Sequence, residues 1–164
     1  MDSRSKLLGV ALFLLRIALG GVFLYAAWVK LREPWSLFAI SIDNYHVLPQ
    51  WAVLTVARAL PWFELLLGIV LLAGFWRRIS TVTAAALLML FFGMMVRAYV
   101  RGEAIDCGCF GPGEAISPLT LLRDGALWAS AVFLAVMAWR RKKDHAPVQF
   151  SDTIPPSERI SSIA

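Results

Sequence analysis

The sequence predicts an all-α fold, a four-transmembrane-helix bundle with a short interfacial helix in the first outer loop. Three observations predict it. Of 164 residues, 59% are hydrophobic and 16% charged, and mean hydropathy is +0.68. A soluble domain carries about 45–50% apolar and about 25% charged residues. Four stretches each supply the roughly 20 apolar residues that a bilayer core of about 30 Å demands. Most of the basic residues flank those stretches rather than lying within them. The same arithmetic argues against disorder, a coiled coil and a disulfide-dense scaffold. The net charge of +5 and pI near 9.7 read as flanks of membrane helices, with no nucleic-acid partner expected. Residues 1–143 form one membrane domain, and 144–164 a cytoplasmic tail without fixed structure.

The first stretch, 7–28, is apolar except for Arg16. Arg4 and Lys6 precede it as in a signal peptide, but the apolar run is too long for one and no small-x-small cleavage site follows. The second, 52–76, contains Arg58, Pro61 and Glu64; the third, 79–100, meets no charge before Arg97; the fourth, 118–139, carries Arg123 and Asp124 in its first two turns. Between the first two, Pro34 to Ile42 reads as a short helix with proline in its first turn. Its apolar side chains and the flanking Tyr45 and Trp51 suit an interface. Arg4, Lys6, Arg77, Arg78, Arg140, Arg141, Lys142 and Lys143 fall on one side, against Lys30, Arg32 and Arg101 in the opposite loops. Eight against three in the loops, or eight against six with Arg58, Arg97 and Arg123 near the outer span ends counted, puts both termini in the cytoplasm and loops 30–51 and 101–117 outside. In a bacterium this is the inner membrane, with the second loop in the periplasm.

Ionisable residues inside spans are costly and face a partner or a cavity. Counted from the span ends, Arg16 and Glu64 sit at similar depth on antiparallel neighbours, so an Arg16–Glu64 ion pair is expected, as a register device first and a proton-handling site second. Arg58, Arg97, Arg123 and Asp124 form a second level nearer the outer face, where Asp124 pairs with one of the three arginines. Gly20, Gly21, Gly68 and Gly74 read as close-packing positions. Phe91, Phe92, Trp62 and Phe63 read as packing, and His46 as an ordinary interfacial side chain.

The loop 101–117 is where chemistry concentrates. Both cysteines of the chain stand there, in Asp106-Cys107-Gly108-Cys109-Phe110-Gly111. A bridge between Cys107 and Cys109 needs a tight turn, which Gly108 permits. It would close almost no chain, so it offers little as a staple, and small strained disulfides are oxidising. A redox dithiol is therefore the leading reading. Two soft metal ligands, an interchain bridge and idle thiols are the others; a metal site would need more ligands than Asp106, Glu103, Glu114 and a distant His46 supply, so no metal is expected. Asp106 opposes thiolate formation. The start of the fourth span favours it, with Ser117 as N-cap, Pro118 next, Ile116 and Leu121 as a staple, and free N–H groups and Arg58, Arg97 and Arg123 close by.

Arg16-x-x-Leu19-Gly20, Lys30-Leu31, Tyr45-x-x-Leu48-Pro49, Glu64-x-x-x-Gly68 and Cys107-Gly-Cys-Phe-Gly111 together resemble the MauE/DoxX group of bacterial membrane proteins, from about residue 6 to 140. The cysteine motif resembles the MauE side. The resemblance implies a four-helix inner-membrane protein, with maturation of a disulfide-rich methylamine dehydrogenase subunit on the MauE side and quinone-coupled sulfur oxidation on the DoxX side. Only Cys107 and Cys109 carry over as catalytic residues. Quinone-linked disulfide generators on four-helix bundles relay through two cysteine pairs; this chain has one, so a partner supplies the second or the relay is shorter. The expected function is a thiol-disulfide oxidoreductase acting on a periplasmic thiol partner, with a membrane quinone as acceptor and Arg58, Arg97 or Arg123 as its contacts. The alternative is a non-enzymatic assembly factor, or a subunit of a quinone-linked oxidoreductase complex, docked on another membrane protein. A small transporter is less favoured, since no matched pair of interrupted helices is present.

Overall fold

In the computed structural model, residues 3–103 and 115–143 are described, with side chains from 6 to 140. They form five helices and no strand: α1 (Ser3–Arg32), α2 (Trp35–Asp43), α3 (Gln50–Ala73), α4 (Arg77–Val100) and α5 (Pro118–Lys143). All but α2 are long and apolar enough to cross a membrane. Large apolar side chains such as Leu14, Leu66, Ile69, Leu90 and Leu122 are exposed along them. So wide an apolar surface would aggregate in water, whereas lipid solvates it. The chain is a multi-pass membrane protein.

The helices pair α1 with α3 and α4 with α5, and the two pairs meet through α1–α5 and α3–α4 contacts. At their centre Leu19, Phe23, Leu67, Leu71, Ala84, Ala131 and Leu134 form one buried cluster. Close approach of α1 and α3 needs two glycines. A Cβ on Gly20 would lie 3.3 Å from the Gly68 carbonyl oxygen, and one on Gly68 would lie 3.1 Å from the Gly20 oxygen and 2.9 Å from Leu24. Small residues are the usual means of bringing membrane helices together, because lipid supplies no hydrophobic drive between them.

The α3–α4 connection is three residues long. Gly74 caps α3 in the left-handed conformation at φ 74°, and Trp76 at φ 44° precedes α4. Ser80 Oγ then donates to the carbonyl of Trp76 and Thr81 Oγ1 to that of Arg77. Arg78 Nε donates to the Ala138 carbonyl at 3.2 Å, tying α4 to α5 at the same end. At the other end α2 lies across α3, burying Phe38 and Ala39 against Val53 and Ala57. Pro34 is its N-cap, one position earlier than the sequence suggests. Trp35, Leu37 and Ile40 stay exposed, as an interfacial helix requires.

Candidate functional site

The α1–α3 register decides which charges meet inside the bundle. Gly20 faces Gly68 and Leu72, and Arg16 therefore reaches Gly74 at the end of α3. The expected Arg16–Glu64 pair is not formed. Glu64 is held by Lys30, whose Nζ donates to both carboxylate oxygens at 2.7 and 2.8 Å. Counting from span ends assumed that the two helices start and stop flush, but the glycine contact slides them. Helical side chains also lean toward their own N-terminus, so Lys30 reaches back a turn toward Ala26, which shares a cavity with Glu64. Lys30, assigned from sequence to a loop, is thus in α1 and 5% exposed, and Glu64 is 2% exposed. Its signal lay in the Lys30-Leu31 motif rather than in its charge.

The pair sits in an aromatic enclosure. Lys30 Nζ lies 5.2 Å from the centroid of Phe38 and 5.6 Å from that of Phe91, so α2 closes over it. Phe91, read as plain packing, is in addition a cation–π partner. A cavity of about 30 Å³ adjoins the pair and is also lined by Asp124 and Phe92; it has the size in which a bridging water fits. Asp124 is buried and accepts from Arg123 Nε at 3.0 Å. Two carboxylates and two cations therefore share this level. Neutralised in this way, the cluster is tolerable within a span and clamps α1 to α3.

The second level of arginines does not converge. Arg123 is on Asp124; Arg58 stacks on Trp35 of α2, 4.3 Å from its centroid; Arg97 is exposed one turn from the end of α4. None of the three lines the cavity beside Lys30 and Glu64. No electron-transfer step is assigned through them.

Cys107 and Cys109 lie outside the described residues, as do Asp106 and Glu114. Both flanks of their segment are well anchored. Gly102, at φ 67°, ends α4 with two bonds back into the helix, Gly102 N–H to Tyr99 at 3.0 Å and Glu103 N–H to Ala98 at 3.1 Å. That is the Schellman pattern, with the left-handed residue supplied by glycine. On the far flank Ser117 Oγ accepts from Thr120 N–H at 3.2 Å, while Ser117 N–H donates to Thr120 Oγ1 at 2.8 Å, a reciprocal cap. The N-cap expectation holds, but the free N–H groups do not follow. Pro118 has none, and those of Thr120 and Leu121 both go to Ser117. At most Leu119 is left to favour a thiolate.

Tyr45, buried between α2 and α3, packs on Ala98 and is joined by Met94 and Ile116. It locks the two connections at this end of the bundle together, rather than standing at the membrane interface as its sequence position suggests. Among the described residues no three His, Cys, Asp or Glu side chains gather as metal ligands.

Over residues 8–140 the chain matches the family model described as methylamine utilisation protein MauE. It is 36% identical over 129 residues to a methylamine utilization protein MauE from Paracoccus denitrificans, covering 77% of this chain and 69% of that one. The like-named protein of Methylophilus methylotrophus is 35% identical over 116 residues, covering 68% of this chain and 60% of its own. That of Methylorubrum extorquens is 34% identical over 120 residues, covering 67% and 60%. The chain thus spans less than two thirds of the latter two. No solved structure matches significantly.

Proposed function

Because the chain belongs to the MauE family, we propose that it is a membrane accessory protein of methylamine utilisation whose Cys107–Cys109 pair exchanges disulfides with a periplasmic protein. The family relatives carry methylamine utilisation in their names, which supports the pathway. One observation carries the chemistry: the two cysteines of the chain stand one residue apart between two membrane helices. With Lys30 buried, the loop charges supporting an inner-membrane orientation become eight against two, which favours the oxidising side for the pair.

The exchange is balanced in thiols. A partner thiolate attacks one sulfur of the Cys107–Cys109 disulfide, a mixed disulfide forms, and the other sulfur leaves as thiolate. A second partner thiolate then breaks the mixed disulfide. The partner gains a disulfide, and Cys107 and Cys109 take up two electrons and, once protonated, become thiols. The caps at Gly102 and Ser117 support this reading, since they hold both ends of the reactive segment at one place on the bundle. A staple would need no such presentation.

Trapping tests it. In the Cys109→Ser chain, the Cys107 thiolate can attack the disulfide of an oxidised periplasmic partner, releasing one partner thiolate. No neighbouring cysteine then displaces the partner, so a covalent adduct should accumulate, visible on non-reducing gels and reversed by reductant. The Cys107→Ser/Cys109→Ser chain should give no adduct and should leave its client under-oxidised. Full client maturation by that double variant, with no adduct from either single variant, would favour a docking factor whose cysteines only shape the loop.

A further inference from the structure

The end of the bundle opposite α2 holds a second cavity, of about 120 Å³, between α1, α4 and α5. Among the described residues its lining includes Arg16 and Arg77 and no carboxylate; the rest is Leu12, Phe13, Thr81, Leu134 and neighbouring small or apolar residues. The volume is several times the roughly 10–15 Å³ that one water takes by this measure. Arg16 is half-buried. Its Nε is sealed from solvent without a hydrogen-bond partner, and its guanidinium lies over the Phe13 ring at 5.4 Å. Gly74 leaves room for it, since a Cβ there would come within 2.5 Å of Nη1. Thr81 spends its hydroxyl proton on backbone carbonyls, the nearer that of Arg77 at 2.6 Å, so the two guanidinium groups are the donors that this cavity offers.

Two forked donors converging on an apolar-walled cavity match an oxyanion with several acceptor oxygens. We propose that Arg16 and Arg77 bind the phosphate of an anionic phospholipid headgroup or a free phosphate ion. The lipid is the better source. Trp76 and Trp139 are exposed at this same end, with Arg78 on the face of Trp139 at 5.6 Å, and such tryptophans mark headgroup level. Exposed Phe13 and Leu14 beside the cavity give an acyl chain a path. A basic pocket between spans is the recognised form of a headgroup site. The site is independent of the cysteine chemistry at the other end.

The full chain, purified in neutral detergent, is titrated with phosphatidylglycerol, with phosphatidylcholine of the same acyl chains, and with inorganic phosphate. Retained lipid is read by native mass spectrometry and protection by thermal melting. Phosphatidylglycerol should bind in a one-to-one complex and raise the melting temperature, and phosphatidylcholine should do so far less. Arg77→Gln, at an exposed position, and Arg16→Gln should each weaken phosphatidylglycerol binding about tenfold, as for loss of one charge-assisted contact. Arg32→Gln, at the opposite end of α1, should leave it unchanged. Protection by inorganic phosphate at the same two-arginine dependence supports the oxyanion site and assigns it to the free ion. Equal binding of the two lipids with no effect of phosphate, or phosphatidylglycerol binding indifferent to both substitutions, overturns the proposal.

Discussion

At the scale of single residues, the Lys30–Glu64 contact is where energy is most concentrated. Each group alone would be an unpaired charge in a span, whereas together they satisfy both carboxylate oxygens. Removing one partner of a buried pair costs about 3–5 kcal/mol, yet replacing both by apolar residues is often neutral. Lys30→Met should therefore lower thermal stability strongly, and Lys30→Met/Glu64→Leu should recover most of the loss. Melting curves of the three chains in detergent check this; a double variant as unstable as the single one would show that the pair does more than neutralise itself. Sequence marked Glu64 correctly as a residue needing a partner. It named the wrong partner, because Arg16 looked buried by position and Lys30 looked like a loop charge. Depth along a span is legible in sequence, but the slide between two spans is not.

At the scale of elements, that slide is set by glycine contacts of α1 and α3. Gly68→Ala places a methyl group 2.9 Å from Leu24 and 3.1 Å from the Gly20 carbonyl oxygen. Since one of those neighbours is backbone, the helices must part, at a cost of about 1–3 kcal/mol for overpacking. Gly21→Ala and Gly93→Ala meet nothing within 4 Å and should keep stability or raise it by up to about 1 kcal/mol through helix propensity. Thermal melts of the three substitutions give the comparison, and equal losses in all of them would remove the close approach as the cause. The four glycines read alike in sequence; only Gly20 and Gly68 pack two helices, while Gly74 is a cap. The start of α5 was more legible, because Ser117-Pro118 is a local signal. Its capping bond forms as expected and takes the Thr120 N–H, and with Leu121 N–H on the Ser117 carbonyl at most that of Leu119 is left for a thiolate.

For the whole molecule, the apolar exterior makes lipid the solvent and leaves the two bundle ends to differ by charge. One end is closed by α2, Tyr45 and the neutralised Lys30–Glu64–Asp124–Arg123 level; the other carries Arg16, Arg77 and Arg78 among exposed tryptophans. The proposed cytoplasmic placement of the basic end predicts that Cys107 in the Cys109→Ser chain reacts with a membrane-impermeant maleimide in cells with a permeabilised outer membrane. A cysteine placed in the tail, Ser161→Cys on the double Cys→Ser background, should react only after the inner membrane is lysed. The reverse labelling pattern would move the thiols to the reducing side and end the disulfide-exchange proposal.

Composition and apolar run length by themselves determined the all-α membrane bundle, its four spans and the small helix before α3, because the cost of placing a peptide in lipid is summed along the chain and needs no partner. Membership of the MauE family was equally legible in sequence. Which charges meet was decided only by the tertiary structure. Pairing depends on how far one helix slides along another, and that distance is set by steric contact between Gly20 and Gly68, a contact between residues far apart in the chain.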